Sequence, residues 1–521
     1  MSLRTFSVLA LLDWRQEFRQ TMEQLGFVED PEAGAWRNAD GLTPAQWAHG
    51  LGPGEEARYY IETWGCQMNE HDSEIMAGQL EAMGYRPAAS LEEADLIILN
   101  TCAVRETAEE KVYGTLGWLR QLKRRRPEVV LAFTGCMAQE EVTIQRLQRA
   151  APHVDLVFGT HNIHRLPALI ARVRQEEGMV VDVWKGAAGL VEHLPAKRAD
   201  RTRAWVTIQY GCDKFCTYCI VPYTRGRERS RRPEDILREV EELAAQGYKE
   251  ITLLGQTVSS YGQDFRDRRY TFADLLRDLN RVDGIRWIRF MSPYPGDFDE
   301  RLIAALAECS KVCDHVHLPV QAGSDRVLHR MNRRYTRQQY LEIVRRLREA
   351  IPTVSITTDI IVGFPGETEE DFQQTLSLVE EVGFDNAFTF AFSPRAGTVG
   401  AKWEERFGVP DEVKQERLRR LMEVQYPIGL RRNQAYVGRE AIVLVEGPSK
   451  KNPAVLSART STNKVVLFPG PAAWAGRFAR VRITRASTFT LEAEVQEVME
   501  DCPLPARLDA AERLPRRAIP A

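Results

Sequence analysis

Short apolar runs alternate with longer amphipathic, charged stretches over much of the chain. Between residues 59 and 159, four runs rich in β-branched and other apolar residues are separated by helix-like segments such as Glu106–Arg125 and Glu140–Ala150. This alternation predicts an α/β domain in which helices cover a parallel sheet. The predicted strands are Tyr59–Thr63, Leu96–Asn100, Val129–Thr134 and Leu156–Gly159.

The alternation resumes after the charged, non-periodic stretch 195–203, which we interpret as a linker. Six further strand–helix units follow, fewer than the eight of a complete barrel, so the pattern predicts a partial (β/α)6 barrel. The predicted strands are Trp205–Tyr210, Glu250–Leu254, Trp287–Met291, His315–Val320, Ser355–Val362 and Ala387–Phe392.

From Tyr436 to about Met499 the pattern changes to short strands and turns, which predicts a small β-barrel. The strands expected there are Glu440–Val445, Lys464–Phe468, Phe478–Ile483 and Leu491–Val498. The predicted organisation is a 1–56 extension of unknown role, an α/β domain over 57–195, the partial barrel over 204–435, the β-barrel over 436–500 and a tail over 501–521.

Composition agrees with an ordinary globular protein. The chain has 521 residues, of which 44% are hydrophobic and 27% charged, so two to four domains are expected. No apolar run approaches the 18 or so residues of a membrane span, and no secretory signal is evident. We therefore expect a soluble, cytoplasmic protein with no membrane partner.

Positive charge is concentrated near the C-terminus. Residues 431–490 contain eleven Lys or Arg and only two acidic residues, Glu440 and Glu446, whereas the whole chain carries −3. A basic segment on an acidic body is typical of a protein that binds a polyanion such as a nucleic acid. A solvated basic face without a partner is the alternative interpretation.

Three of the nine cysteines form a CxxxCxxC motif, Cys212, Cys216 and Cys219, just after the first strand of the predicted barrel. Three thiolates on a short loop can hold three corners of a [4Fe–4S] cluster and leave one iron open. The amino and carboxylate groups of a methionine moiety can chelate that iron. A structural zinc site is the alternative, although zinc normally takes four protein ligands with paired CxxC spacing.

Three more cysteines, Cys66, Cys102 and Cys136, each lie just past a predicted strand end and before a helix. Because parallel strands end at the same edge of a sheet, these thiols can converge there. They predict a second cluster with an open iron that could hold an exogenous sulfur species. The alternative is that they are inert buried thiols. We interpret the three cysteines outside both sets as inert thiols of this kind. The remaining three are Cys309, Cys313 and Cys502.

The CxxxCxxC spacing resembles that of the radical S-adenosylmethionine superfamily. Longer stretches of the sequence resemble motifs of the methylthiotransferase family within that superfamily. Trp64 and Ala322 depart from the usual residues of that family. The stretches that carry the resemblance are Gly65–Asn69 (GCQMN), Cys216–Gly226 (CTYCIVPYTRG), Val316–Asp325 (VHLPVQAGSD), Asp359–Thr368 (DIIVGFPGET), Ser393–Thr398 (SPRAGT) and Glu446–Lys451 (EGPSKK).

The resemblance implies an N-terminal cluster domain, a radical core and a C-terminal TRAM barrel that binds RNA. It implies two [4Fe–4S] clusters, S-adenosylmethionine, and addition of a methylthio group to C2 of prenylated adenosine 37 in a tRNA anticodon loop. The resemblance also implies a one-electron donor such as a flavodoxin or ferredoxin. It leaves the sulfur donor and the catalytic residues unassigned. The implied cofactor contacts are Tyr218, Gly255, Gln256, Ser292, Gln321 and Asp359.

Related activities remain open at this point. Sister enzymes act on threonylcarbamoyl-adenosine in tRNA or on an aspartate of a ribosomal protein, but GCQMN and PYTRG favour the prenyl-adenosine branch. A non-catalytic iron–sulfur protein that binds RNA is the alternative of another class. The intact CxxxCxxC motif speaks against it.

Overall fold

The structure is a computed structural model that describes residues 10–30, 34–103, 106–186, 189–267 and 269–502. It divides into two compact units. The first unit comprises the described residues up to 199 together with 210–213 and 220–229, and the second comprises 200–209, 214–219 and the described residues from 230 onward. No helix in the described ranges combines the length and the apolar content that a membrane crossing requires.

A six-stranded parallel sheet in the order β5-β4-β6-β7-β8-β9 forms the centre of the first unit. All six residues of β6 and all six of β7 are buried, as expected for strands covered on both faces. The strands of this unit are β1 (Ala10–Asp13), β2 (Val28–Asp30), β3 (Ala35–Arg37), β4 (Arg58–Thr63), β5 (Arg86–Pro87), β6 (Leu96–Thr101), β7 (Val130–Gly135), β8 (Leu156–Phe158), β9 (Val180–Asp182) and β10 (Gly189–Glu192).

Register places the carboxyl ends of the central strands side by side. Tyr59 on β4 pairs with Leu96 on β6, which pairs with Val130 on β7. The predicted parallel α/β fold is thereby confirmed. The helices of this part of the chain are α1 (Trp14–Gln24), α2 (Pro44–His49), α3 (Gln67–Ala82), α4 (Glu106–Arg125), α5 (Glu141–Ala150) and α6 (Leu166–Gln175).

The described residues between 10 and 56, for which the sequence predicted no elements, contribute several side chains to the core of the first unit. Strand β1 pairs in parallel with β10, about 180 residues further along the chain. The rings of Trp14 and Phe18 stack with centroids 4.7 Å apart, and Trp14 Nε1 donates to Gln79 Oε1 on α3 at 3.2 Å. This region therefore supplies apolar cover to helix α3.

Six parallel strands in two three-stranded sheets, β11-β14-β15 and β16-β17-β18, form the predicted partial barrel of the second unit. The strands from here to the barrel's end are β11 (Arg203–Thr207), β12 (Gln209–Tyr210), β13 (Arg229–Ser230), β14 (Glu250–Leu254), β15 (Trp287–Phe290), β16 (His315–His317), β17 (Ser355–Val362) and β18 (Asn386–Ala391). The α-helices described from residue 221 to residue 434 are α7 (Val221–Thr224), α8 (Pro233–Ala245), α9 (Phe272–Leu279), α10 (Glu300–Glu308), α11 (Asp325–Arg330), α12 (Arg337–Ala350), α13 (Glu369–Val382), α14 (Val399–Phe407) and α15 (Asp411–Gln434).

Strands β17 and β18 separate a packed face from an open one. Ile360, Val362 and Ala387 are buried in the main core. Alternate residues point to the opposite face, where Phe388 is 51% and Phe390 41% exposed. The open face therefore presents exposed aromatic surface.

A closed five-stranded barrel in the order β19-β20-β21-β23-β22 follows α15 and confirms the predicted small β-barrel. One strand, β20, was not predicted from the sequence. Its Ala, Ser and Arg residues have weak strand propensity, although its burial alternates as a half-buried strand requires. The barrel strands are β19 (Glu440–Pro448), β20 (Val455–Thr460), β21 (Val465–Pro469), β22 (Phe478–Ala486) and β23 (Thr490–Met499).

Candidate active site

Three cysteines lie at the carboxyl edge of the sheet in the first unit. Cys66 is the N-cap of α3 and makes no side-chain capping hydrogen bond. Cys102 directly follows β6, and Cys136 begins a 3-10 helix directly after β7. Cys102 and Cys136 are buried, whereas Cys66 is exposed. Helix N-termini at this edge favour an anionic group because their N–H groups are unpaired.

Two glycines allow the cysteine loops to come together. Gly65 has φ +127°, and a Cβ there would lie 2.8 Å from Cys102 Cβ. Gly135 has φ +95°, and a Cβ there would lie 2.2 Å from the carbonyl oxygen of Thr101. Because any side chain at these two positions would collide with the neighbouring loop, the glycines before Cys66 and Cys136 are required for the convergence.

Asn69 connects the loops through one side chain. Its Nδ2 donates to the carbonyl oxygens of Trp64 and Thr101, both at 2.9 Å. Its Oδ1 lies 4.0 Å from Cys66 Sγ and 3.9 Å from Cys136 Sγ. Burial raises the pKa of the Cys136 thiol to about 11, and the charge of Arg225 acts in the opposite direction.

The donor set of this edge fits an iron–sulfur cluster. The three thiols influence one another electrostatically, yet no three Cys, His, Asp or Glu side chains of the described chain are placed to hold a single metal ion. A [4Fe–4S] cube instead takes each thiolate at a different iron. The buried hydroxyl of Thr134, two residues before Cys136, has no hydrogen-bond partner among the described residues.

The CxxxCxxC segment spans both units. Cys212 belongs to the first unit, where its backbone N–H donates to the Gly226 carbonyl oxygen at 3.0 Å. Cys216 and Cys219 belong to the second unit and are joined by a turn, in which Cys219 N donates to Cys216 O at 2.9 Å.

A buried arginine supports the second-unit part of this segment. Arg333 Nη1 donates to Cys216 Sγ at 3.4 Å. Burial, followed by the neighbouring Cys216, holds the pKa of the Tyr218 hydroxyl well above its usual range. The Arg333 guanidinium therefore places a hydrogen-bond donor and a positive charge beside the Cys216 sulfur.

Two predicted cofactor contacts, Gln321 beyond the end of β16 and Asp359 within β17, lie together. Gln321 N donates to Asp359 O at 2.9 Å, and Gln321 O accepts from Ile361 N at 2.9 Å. Asp359 Oδ2 lies 3.3 Å from His317 Nε2. These contacts bring the Gln321 backbone and the Asp359 side chain to the same strand edge.

The other predicted contacts follow the remaining strands. Ser292 is exposed just after β15, and Gly255 follows β14, where an added Cβ would lie 3.3 Å from Gln209 Cβ. Gln256 comes next in the chain, and Tyr218 lies between two cysteines of the motif. Their role in holding a cofactor stays a prediction.

Several polar and aromatic residues of the sites were not singled out from the sequence. Arg333 has no motif to mark it, and Arg225 lies in the family-like stretch CTYCIVPYTRG without a role being assigned to it. Phe388 and Phe390 resemble ordinary strand residues, since alternation alone does not show which face is open.

Family models match three parts of the chain. Residues 206–379 match the radical SAM superfamily, residues 58–159 match the uncharacterized protein family UPF0004, and residues 434–496 match the TRAM domain.

Curated relatives match most of the chain. The tRNA-2-methylthio-N(6)-dimethylallyladenosine synthase of Desulforamulus reducens is 54% identical over 437 residues, which are 84% of this chain and 95% of that protein. The chain belongs to this synthase family. The Geobacillus kaustophilus synthase is 53% identical over 86% of this chain and 84% of its own length.

Among solved structures, the radical S-adenosylmethionine methyltransferase TsrM from Kitasatospora setae with cobalamin and a [4Fe–4S] cluster bound gives a TM-score of 0.47 at 15% identity. The match covers 67% of this chain and 77% of that one. For the synthase family, membership of the radical SAM superfamily implies one [4Fe–4S] cluster and S-adenosylmethionine.

Proposed function

We propose that this chain adds a methylthio group to C2 of N6-prenylated adenosine 37 in tRNA, using S-adenosylmethionine and two [4Fe–4S] clusters. The convergence of Cys66, Cys102 and Cys136 at one sheet edge carries this proposal, because it supplies a second three-thiol site apart from the CxxxCxxC motif. Residues 57–195, 204–435 and 436–500 are assigned to the cluster domain, the radical core and the RNA-binding barrel.

The CxxxCxxC segment and the strands that follow it along the chain would hold and orient the cofactor. Cys212, Cys216 and Cys219 would hold a cluster. When bound, it would supply the electron, received from a donor such as a flavodoxin or ferredoxin, for cleavage of S-adenosylmethionine to the radical that removes hydrogen from C2. Arg333 would fix the Cys216 sulfur in place through its hydrogen bond. Gln321 and Asp359 lie beside each other at the adjoining strands, where the Asp359 carboxylate would contact the cofactor.

The open face of β17 and β18 suits a prenylated purine. Asp359 and Phe388 stand opposite each other in the register, and the rings of His317 and Phe388 meet edge to face with centroids 5.9 Å apart. Phe390 lies two residues on, on the same face. Aromatic rings can stack on an unpaired base, and a buried prenyl group contributes roughly 0.8 kcal/mol per CH₂.

The same face disfavours the threonylcarbamoyl substrate of the sister enzymes. That modification carries a carboxylate, whose burial against Phe388 and Phe390 would cost desolvation energy without an ion pair. The carboxylate of Asp359, on the same face, would add like-charge repulsion.

Two sets of cysteine replacements test the proposal. Replacing Cys212, Cys216 and Cys219 by Ala should leave about four irons per chain and abolish 5′-deoxyadenosine formation. Replacing Cys66, Cys102 and Cys136 by Ala should also leave about four irons and retain 5′-deoxyadenosine formation, but abolish methylthiolation.

A cysteine outside both sets provides the control. Cys309 is buried, and its replacement by Ala should keep about eight irons. Complete loss of iron in either triple variant, with the control intact, would contradict two separate cluster sites.

A further inference from the structure

The segment that follows the CxxxCxxC motif places an arginine inside the first unit. Helix α7 ends at Thr224, and the next residue, Arg225, is only 4% exposed. Its Nη2 donates to Asn69 Oδ1 at 2.8 Å and to Asp72 Oδ2 at 2.7 Å. Both acceptors lie in the first two turns of α3, which begins directly after Cys66.

This guanidinium stands next to the three-cysteine edge. The Asn69 oxygen that accepts from Arg225 also lies within 4.0 Å of the Cys66 and Cys136 sulfurs. The charge of Arg225 lowers the pKa of the Cys136 thiol, against the larger opposing effect of burial. The electrostatic coupling extends to Cys66 as well.

The negative charge of a cluster at this edge would favour a positive side chain such as Arg225 beside it. A [4Fe–4S]²⁺ core with three thiolates carries a net charge of about −1, and one-electron reduction makes it about −2. In a buried site that charge is costly unless a positive group lies near it. The carboxylate of Asp72, on α3, balances the positive charge of Arg225. The ion pair therefore forms a dipole beside the thiols.

We propose that Arg225 is a positioning residue that raises the reduction potential of the cluster held by Cys66, Cys102 and Cys136. The inference rests on the proposed second cluster. A nearby positive charge stabilises the more negative, reduced form of the cluster, so removal of the charge lowers the potential. Arg225 lies six residues after Cys219, the last cysteine of the CxxxCxxC motif. The segment that follows this motif thus supplies a residue to the three-cysteine site.

The test isolates one cluster in the full-length chain. In a background in which Cys212, Cys216 and Cys219 are Ala, the reconstituted protein is titrated anaerobically and the reduced cluster is followed by electron paramagnetic resonance. Arg225→Gln should lower the ratio of reduced to oxidised cluster about tenfold at a fixed potential, which corresponds to about 59 mV for one electron. Arg225→Lys keeps the charge and should restore most of the ratio.

Two further variants separate charge from structure. Asp72→Asn removes the balancing carboxylate and should raise the potential, the direction opposite to Arg225→Gln. Arg227→Gln removes an arginine of the same segment whose side chain is 73% exposed and pairs with Asp213, and should leave the potential unchanged.

The outcomes distinguish this inference from the proposed function. A background protein without any cluster would overturn the second cluster and this inference together. A cluster whose potential does not respond to Arg225→Gln or Asp72→Asn would overturn this inference alone. If the Arg225→Gln variant loses its iron, the reduction potential of the Asp72→Asn variant is the deciding measurement. An unchanged or lower potential in that variant overturns the role of Arg225.

Discussion

Two of the predicted cofactor contacts hold an unfavourable backbone conformation. Ser292 has φ +57° and Gln321 has φ +72°, both in the left-handed region. A side chain there costs about 1–2 kcal/mol relative to ordinary conformations. Gln321 is fixed by backbone hydrogen bonds to Asp359 and Ile361, so the surrounding strands impose the strain. Strain of this kind is typical of functional sites.

This strain gives a stability prediction. Gln321→Gly should be about 1 kcal/mol more stable than Gln321→Ala, because glycine relieves the left-handed strain and alanine keeps its Cβ. Both variants should bind S-adenosylmethionine more weakly than the unmodified chain. Urea denaturation and equilibrium binding measure the two effects, and equal denaturation midpoints for the Gly and Ala variants would contradict the strain.

How far individual residues could be predicted depended on whether their signal was local. The six cysteines were predictable as candidates because regular spacing and strand ends mark them in the sequence. Arg225 and Arg333 were not, since each acts on a cysteine only through tertiary packing. To single out Phe388 and Phe390, one had to know which face of the sheet is exposed.

At the scale of elements, β23 changes the interpretation of the basic segment. Its acidic residues lie beside arginines of the neighbouring strand, with Glu497 3.5 Å from Arg480 and Glu492 3.7 Å from Arg485. The positive charge counted over 431–490 is thus partly neutralised by residues that follow it in the sequence. Lys450 and Lys451, in contrast, are exposed and make no ion pair within the described chain.

The exposed lysine pair should therefore contribute more to tRNA binding than the paired arginines. Lys450→Ala/Lys451→Ala should weaken affinity and reduce the slope of log K against log salt by roughly 0.7–0.9 for each phosphate that the variant no longer neutralises. The control Arg480→Ala/Arg482→Ala removes the same net charge from side chains that pair with Glu440. Equal effects of the two double variants would show that only overall charge matters.

The small barrel is joined to the partial barrel by a buried arginine. Arg289 on β15 pairs with Glu250 at 2.9 Å and donates to the carbonyl oxygens of Thr460 at 2.8 Å and Ser461 at 3.2 Å. The rings of Trp287 and Phe478 also meet edge to face, 5.2 Å apart. Deleting the small barrel would leave these groups without partners, so surface substitutions are the sounder test of RNA binding.

Loss of this arginine should destabilise the second unit. Arg289→Met leaves the buried Glu250 unpaired and should cost about 3–5 kcal/mol in the free energy of unfolding. Adding Glu250→Gln should recover part of the loss, as a double-mutant cycle measures. The exposed pair of Arg281 and Asp278 is the control, and Arg281→Met should cost at most about 1 kcal/mol.

Strand prediction succeeded where burial and composition agreed. Strands β6 and β7 are continuous apolar runs and were predicted within one residue. The elements described between residues 10 and 56 were not predicted, because β1 pairs with β10, about 180 residues further along the chain. Short elements with distant partners carry little local signal.

At the scale of the whole molecule, each unit supplies a distinct part of the proposed reaction. The first unit gathers three cysteines at a sheet edge, and the second carries the open aromatic face and the TRAM-like barrel. Membership of the synthase family agrees with this division. In this proposal, contact between the prenyl group and the exposed aromatic face determines which base is the target.

Methylthiolation of matched tRNAs tests the proposed substrate most directly. The reconstituted chain receives S-adenosylmethionine, a reductant and anticodon-loop tRNAs that carry adenosine, prenyl-adenosine or threonylcarbamoyl-adenosine at position 37, and the nucleosides are analysed by mass spectrometry. The 2-methylthio product should form on the prenyl-adenosine tRNA and at most weakly on the other two, because only the prenyl group can bury apolar area against Phe388 and Phe390. Equal or greater product on the threonylcarbamoyl-adenosine tRNA, or none on the prenyl-adenosine tRNA, would contradict it.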